Sequence, residues 1–378
     1  MDADRSDKLR PAEPPIDGTT EAAHSQRQRL PADFAGFPSA NSRSFNYFQP
    51  RRIRATVYED VTVDVQPDRS RHLIADWAYA FAERPGGYPV ELTQAKSTDW
   101  HWFRDPNQEW EQTIYRNNAQ LVRMVERAIA NARNEGALDH WAPSWSSIVE
   151  RDVGAWMHAA HGLGLHVFLA AQRDAPTNMI NNAIAVNSIH KLRTAQDLLV
   201  FNLELSEVRS DFDGRAHLTA WHDDPIWQPV RENVERLTAI HDWCEAIVAT
   251  NLAFEPLVGE LFRSGYIMRT AAANGDFVTP TIMGIAESDF DRDLAYTTEL
   301  LGCLTHDSRY AEANRRLFTR WLSVWVAASL RAARSLAPVF AKAECSPGDF
   351  DDALARARAR LHEILLSLDI QAPDSLER

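Results

Sequence analysis

Asn178-Met179-Ile180-Asn181-Asn182-Ala183-Ile184-Ala185-Val186-Asn187-Ser188-Ile189-His190-Lys191-Leu192-Arg193-Thr194-Ala195-Gln196-Asp197-Leu198-Leu199-Val200-Phe201-Asn202-Leu203-Glu204-Leu205-Ser206-Glu207-Val208 is the stretch on which the fold turns. Wound at 3.6 residues per turn, it carries apolar side chains on much of its circumference. Residues 225–263 have the same character. Helices that are apolar on several faces lie in the middle of a bundle, so this pair predicts a large all-α bundle with long helices at its centre. The asparagines Asn178, Asn181, Asn182 and Asn187 are unusual in such a helix and read as an interhelical hydrogen-bond network that fixes register.

Working outward, helices are expected over about 144–171, 290–305, 308–342 and 350–368, and over 70–83, where Leu73, Trp77, Ala80 and Phe81 recur at helical spacing. Asp174-Ala175-Pro176, Asp211-Phe212-Asp213-Gly214, Asn274-Gly275 and Ser346-Pro347-Gly348 are the breaks. Asp105-Pro106 reads as an N-cap with proline at the first helical position. The helix after it is amphipathic through Leu121, Met124, Val125, Ala128, Ile129 and Ala132. Residues 1–43 are polar, proline-bearing and aperiodic, the composition of a disordered tail. Residues 44–68 read as an extended arm: Phe45, Tyr47 and Phe48 cluster ahead of Pro50, and Val57, Val61, Val63 and Val65 alternate with Tyr58, Asp60, Thr62 and Asp64 as in a strand. No second convincing strand follows, so that arm lies either on its own domain or on another chain. The domain reading is a tail (1–43), an arm (44–68), a helical domain (69–345) and a C-terminal helix and tail (346–378).

Composition narrows the function. The 378 residues are 45 % hydrophobic and 25 % charged, an ordinary globular balance. The formal charge of −13 offers no domain-wide basic field, so nucleic acid is not an expected partner. Cys244, Cys303 and Cys345 form no C-x-x-C pair, which fits a reducing cytoplasm. No segment reaches the roughly 18 apolar residues of a membrane span, so no membrane is expected. Twelve tryptophans need surface to bury against, inside the chain or on a partner.

Long polar-flecked helices raise a carboxylate-bridged di-iron site, which takes Glu-x-x-His from two helices and Glu from two others. Glu-x-x-His occurs once, at Glu21-Ala22-Ala23-His24 in the tail, and nowhere in the helical region. Looser sets remain: His241 with Glu245 at i, i+4, and His190, Asp197 and Glu204 at steps of seven. These read first as capping, paired or partner-facing groups; His158, His161 and His166 read as packing or interface residues. Asp289-x-Asp291-x-Asp293 reads as a helix N-terminus, where carboxylates oppose the dipole. The nucleophile elbow, the phosphate-cradling loop and the dinucleotide fingerprint are all absent.

Several stretches carry a family resemblance. They are Phe45-Asn46-Tyr47-Phe48, 55–67, Trp110-Glu111-Gln112-Thr113-Ile114-Tyr115-Arg116-Asn117-Asn118-Ala119, Gly154-Ala155-Trp156-Met157-His158, 171–183, Phe254-Glu255-Pro256-Leu257-Val258-Gly259-Glu260-Leu261-Phe262-Arg263-Ser264-Gly265, and 274–281. Over about 44–340 the chain resembles the hydroxylase small (beta) subunits of the soluble bacterial multicomponent di-iron monooxygenases, most of all their propane 2-monooxygenase branch. The resemblance implies a ferritin-like bundle without the di-iron ligands. It implies a large (alpha) subunit that carries the di-iron centre, two large and two small subunits in the hydroxylase, a coupling protein, and a reductase with FAD, a 2Fe-2S cluster and NADH. On that reading this chain has no catalytic, cofactor or metal residues of its own and serves assembly.

Its contact residues would be Phe45, Tyr47, Phe48, Val57, Tyr58, Trp100, Trp102, Trp110 and Tyr115, aromatics and apolar groups suited to an obligate interface. Two rival readings stand beside it. One is a metal-binding oxidoreductase in its own right, built on His190, Glu204, His241 and Glu245. The other is a standalone binder of a hydrophobic ligand.

Overall fold

Asn178–Val208 forms one unbroken helix in the structure, a computed structural model that describes residues 56–62 and 92–377. The Thr177 hydroxyl caps it by accepting from the Ile180 amide at 3.3 Å. Ile180, Ile184, Leu198, Phe201 and Leu205 are buried along its length. The chain divides into two units, Met1–Val63 and Asp64–Arg378.

In the second unit every described regular element is helical. The run from Pro143–Ser147 to Leu169–Arg173 lies against the central helix, as does Thr279–Thr305. The run that begins at Trp243–Ala249 packs on Ala311–Ser335 and Phe350–Ser367. The expected all-α bundle is what forms. Trp145, Trp156, Trp227 and Trp243 are completely enclosed within it.

Two of these runs contain π-helical turns, at Ile148–Val153 and Leu163–Phe168 in one, and at Thr250–Gly259 and Arg263–Ile267 in the other. Pro256 sits inside one of them. A π turn has already given up the i→i−4 ladder, so a proline with no N–H costs less there than in a regular helix.

Several expectations need correction. The valine alternation from Val57 does not make a strand over 57–62; Val57–Thr62 is a short helix. Thr56 and Glu59 bond reciprocally, side chain to backbone, at 2.9 and 3.2 Å, which is a capping box. That local signal, Thr-x-x-Glu, overrides the period-two pattern. Asp105-Pro106 does not start a helix: Glu111–Asn134 begins after Trp110, whose backbone pairs twice with the Thr113 hydroxyl at 2.8 Å. Residues 225–263 are not one helix. Gln228–Thr238 ends, and Asp242 starts the next helix by accepting from the amides of Cys244 and Glu245. Ala216–Asp223 is an additional helix, and Thr279–Thr305 begins well before residue 290.

The Asn274-Gly275 break is real, with Gly275 at φ 82°. Asp276 follows it and accepts from Val278 N, Thr279 N and Trp145 Nε1, at 2.9, 3.0 and 3.0 Å. Helix 70–83, residues 1–55 and the rest of the arm lie outside the described residues.

Candidate functional site: the charge-paired bundle interior

The interior of the bundle is polar where the central helix faces Thr279–Thr305 and the π-helical run. On the central helix, Asn187, His190, Lys191 and Arg193 are all buried. His190 Nδ1 meets Asp293 Oδ1 at 2.7 Å, and Asn187 donates to Asp293 Oδ2 at 2.8 Å. Lys191 Nζ lies 3.0 Å from Glu255 Oε1 and 3.5 Å from Asp293 Oδ2. Arg193 and Arg292 both grip Asp289. Arg263 binds Glu255 Oε2 and Glu287 Oε1, each at 2.8 Å, and its guanidinium sits 5.4 Å from the Trp156 ring. Asn251 donates to Asn187 at 2.8 Å and Thr297 at 2.9 Å, and Tyr296 donates to Asn187 at 2.8 Å.

These contacts set the charges. Burial alone would raise the Glu255 carboxyl, but Arg263 and Lys191 outweigh it and hold the group below its ordinary range. Burial would likewise lower Arg263, and Glu255 with Glu287 reverses that. Arg193 is pushed down to about 10 by burial, with Asp197 opposing. Burial also raises Asp197 to about 6, against the pull of Arg193.

The arrangement does not fit a pair of iron atoms. Such a centre needs carboxylate and imidazole donors free to converge on the metal. Here Asp289, Asp293 and Glu255 are each taken up by lysine or arginine. Lys191 reaches both Glu255 and Asp293, Arg263 holds Glu255, and Arg193 and Arg292 hold Asp289, so these carboxylates already have their counter-charges. Among the described residues no group of three or more His, Cys, Asp or Glu side chains could hold a metal ion.

The sequence-derived candidates fall apart spatially. His190 belongs to the ionic network. Glu204 pairs with Arg133 at 3.0 Å near the surface, Glu245 accepts from Trp325 Nε1 at 2.9 Å, and His241 is exposed in the break before Asp242. His241 and Glu245 therefore do not share a helix. The triple Asp289, Asp291, Asp293 is not a helix start but lies in mid-helix: Asp289 and Asp293 point into the network, whereas Asp291 is outside with Arg360 at 2.8 Å. Asn187 does bridge helices as expected, whereas Asn181 and Asn182 bond the carbonyls of Gln172 and Glu109. His158 pairs not with His161 but with His217, at 2.8 Å.

Among the expected contact residues, Trp102 is 59 %, Tyr115 61 % and Val57 65 % exposed, whereas Tyr58 is buried. Trp100 packs edge-on against Trp243, with centroids 5.6 Å apart, and Trp110 is half-buried. Phe45, Tyr47 and Phe48 lie outside the described residues. Sequence reasoning passed over Lys191, Arg193, Glu255 and Arg263 as a set. Their signal was there, as charged residues stranded inside otherwise apolar helical runs.

Residues 77–308 match the family described as methane/phenol/alkene hydroxylase. The propane 2-monooxygenase hydroxylase component small subunit of Mycolicibacterium goodii is 52 % identical over 90 % of this chain and 93 % of that protein. The methane monooxygenase component A beta chain of Methylosinus trichosporium is 26 % identical over 84 % of this chain and 82 % of its own length. The structure resembles that of phenol hydroxylase from Pseudomonas sp. OX1, with a TM-score of 0.70 at 21 % identity, covering 84 % of this chain and 92 % of that one; this likeness speaks to the fold. The chain is thus a member of the methane/phenol/alkene hydroxylase family and, at that identity and coverage, of its hydroxylase small-subunit branch.

Proposed function

We propose that this chain is a non-catalytic subunit of a multicomponent monooxygenase, and that it works by holding the oxygen-activating large subunit in register. The observation that carries this reading is the pairing of Asp289, Asp293 and Glu255 with Lys191, Arg193, Arg263 and Arg292. A buried cation that already neutralises a carboxylate removes it as a metal ligand. Displacing that cation would cost its desolvated pairing energy.

In this reading the di-iron centre lies in the large subunit, two large and two small subunits make the hydroxylase, and a coupling protein and an NADH-dependent reductase with FAD and a 2Fe-2S cluster deliver electrons. The substrate is a small hydrocarbon, and the complex is cytoplasmic. Among the described residues no helix is long and apolar enough to cross a membrane. In the second unit Trp102 and Tyr115 are the exposed anchors offered to the partner, and in the first Val57 is; Phe45, Tyr47, Phe48, Tyr58, Trp100 and Trp110 are the further contact residues of this proposal.

Metal analysis of the purified chain, beside the chain co-expressed with a large subunit, tests the proposal. Iron should be stoichiometric only in the complex, and hydrocarbon oxidation should need both subunits. Stoichiometric iron or manganese in this chain alone, or turnover without the large subunit, would refute it.

A further inference from the structure

Between the ion pairs lies a cavity with room of about 10 Å³ for the centre of a water-sized sphere. One water needs about that much. Trp156, Ala160, His190, Lys191, Thr194, Glu255, Arg263, Ala286 and Asp289 line it, so Gly154–Gly162, the central helix, the π-helical run of Glu255 and Arg263, and Thr279–Thr305 all contribute. Arg263 Nη2, Trp156 Nε1 and His190 Nε2 are buried and have no hydrogen-bond partner among the described residues. Glu255 Oε1, close to Lys191 Nζ, likewise takes no well-aligned hydrogen bond.

We infer that this cavity binds a single water molecule, which accepts from the Arg263 and Trp156 N–H groups and donates to the Glu255 carboxylate. The inference deepens the metal-free reading and rests on it. Fixed charge in the lining decides the ligand's class. Lys191 and Arg263 bring two positive charges, Glu255 and Asp289 two negative ones. The charges of these four groups balance, so the lining offers neither sign in excess to a metal cation or a halide. A neutral molecule that both donates and accepts completes it, and buried polar groups left without partners are costly. The volume suits a single water. The bundle interior is then an ionic lock closed around one solvent molecule.

The test is a high-resolution crystal structure of the full hydroxylase complex, with anomalous data collected at the iron and zinc edges and after a bromide soak. The expected result is one oxygen-weight peak within hydrogen-bond distance of Glu255 and of Arg263 or Trp156, silent at every edge. A cavity without density overturns the water while leaving the metal-free reading in place. An anomalous peak at the iron or zinc edge overturns both, and bromide in the cavity overturns the water alone.

Discussion

Glu255 and Arg263 stand eight residues apart on one helical run, and their side chains meet at 2.8 Å directly over Gly259. A Cβ at position 259 would lie 2.5 Å from Glu255 Oε2 and 2.7 Å from Arg263 Nη1. Neither group can step aside cheaply. Arg263 is held on its other edge by Glu287, and Glu255 by Lys191.

Gly259→Ala should therefore pry apart the central ion pair. Overpacking of this kind costs about 1–3 kcal/mol. Urea denaturation of the purified chain checks it through the midpoint. An unchanged midpoint would mean that the pair yields without strain.

Removing Lys191 is a harsher change. Lys191→Met leaves Glu255 Oε1 and Asp293 Oδ2 buried without their cation. Breaking one side of a buried pair costs roughly 3–5 kcal/mol. The expected outcome is a large drop in thermal midpoint. The double variant Lys191→Met with Asp293→Asn should recover part of the loss, because Glu255 keeps Arg263 while Asp293 no longer carries a charge that has lost its lysine. No recovery would place the cost in packing rather than electrostatics.

Acid should loosen the junction between Gly154–Gly162 and Ala216–Asp223. His217 Nε2 donates to the Gly214 carbonyl at 3.1 Å, which makes its Nδ1 the acceptor for His158 Nε2–H. His217 is neutral in this arrangement, and burial favours the neutral form of His158 as well. Burial, with His217, His222 and His161 nearby, lowers His158 from 6.5 to about 4; burial lowers His217 as well, opposed by the Gly214 carbonyl and Asp213. A depressed histidine is protonated more readily in the unfolded chain. Its contribution to stability is therefore complete above about pH 6.5, declines as pH falls toward about 4, and levels off below. For a part-exposed ring, with solvent screening allowed for, the change is on the order of 1–2 kcal/mol. His158→Gln keeps a donor for His217 and should flatten this part of the stability–pH profile. An equally steep profile in the variant would assign the acid sensitivity to other groups.

Trp102→Ala and Tyr115→Ala test the partner surface. Both side chains are mostly exposed, so the fold should change by no more than about 0.5 kcal/mol. Aromatic anchors at an interface core are worth about 2 kcal/mol or more each. Assembly with the large subunit should weaken roughly 30-fold per anchor at that value. Sedimentation of the two-subunit mixture reads the difference. Intact assembly in both variants would move the interface to another face.

The all-α bundle was legible because it needs only periodicity: Asn178–Val208 carries apolar groups around its circumference, and no other architecture buries such a helix. Element ends were less legible where short polar side chains decide them. Asp242 and the Thr56–Glu59 pair are local capping groups that a wide hydrophobic window averages away. The absence of Glu-x-x-His from the helical region is likewise a property of the chain read in one dimension.

Sequence by itself thus determined that long helices would bundle and that their spacing offers no standard iron ligand set, since both follow from residues a few positions apart. Only the tertiary structure decided what fills the interior. Lys191, Glu255 and Asp293 are separated by scores of residues, and their meeting depends on three helices packing in one register. Coulombic pairing acts through space, at a few ångströms, and leaves no periodic trace along the chain.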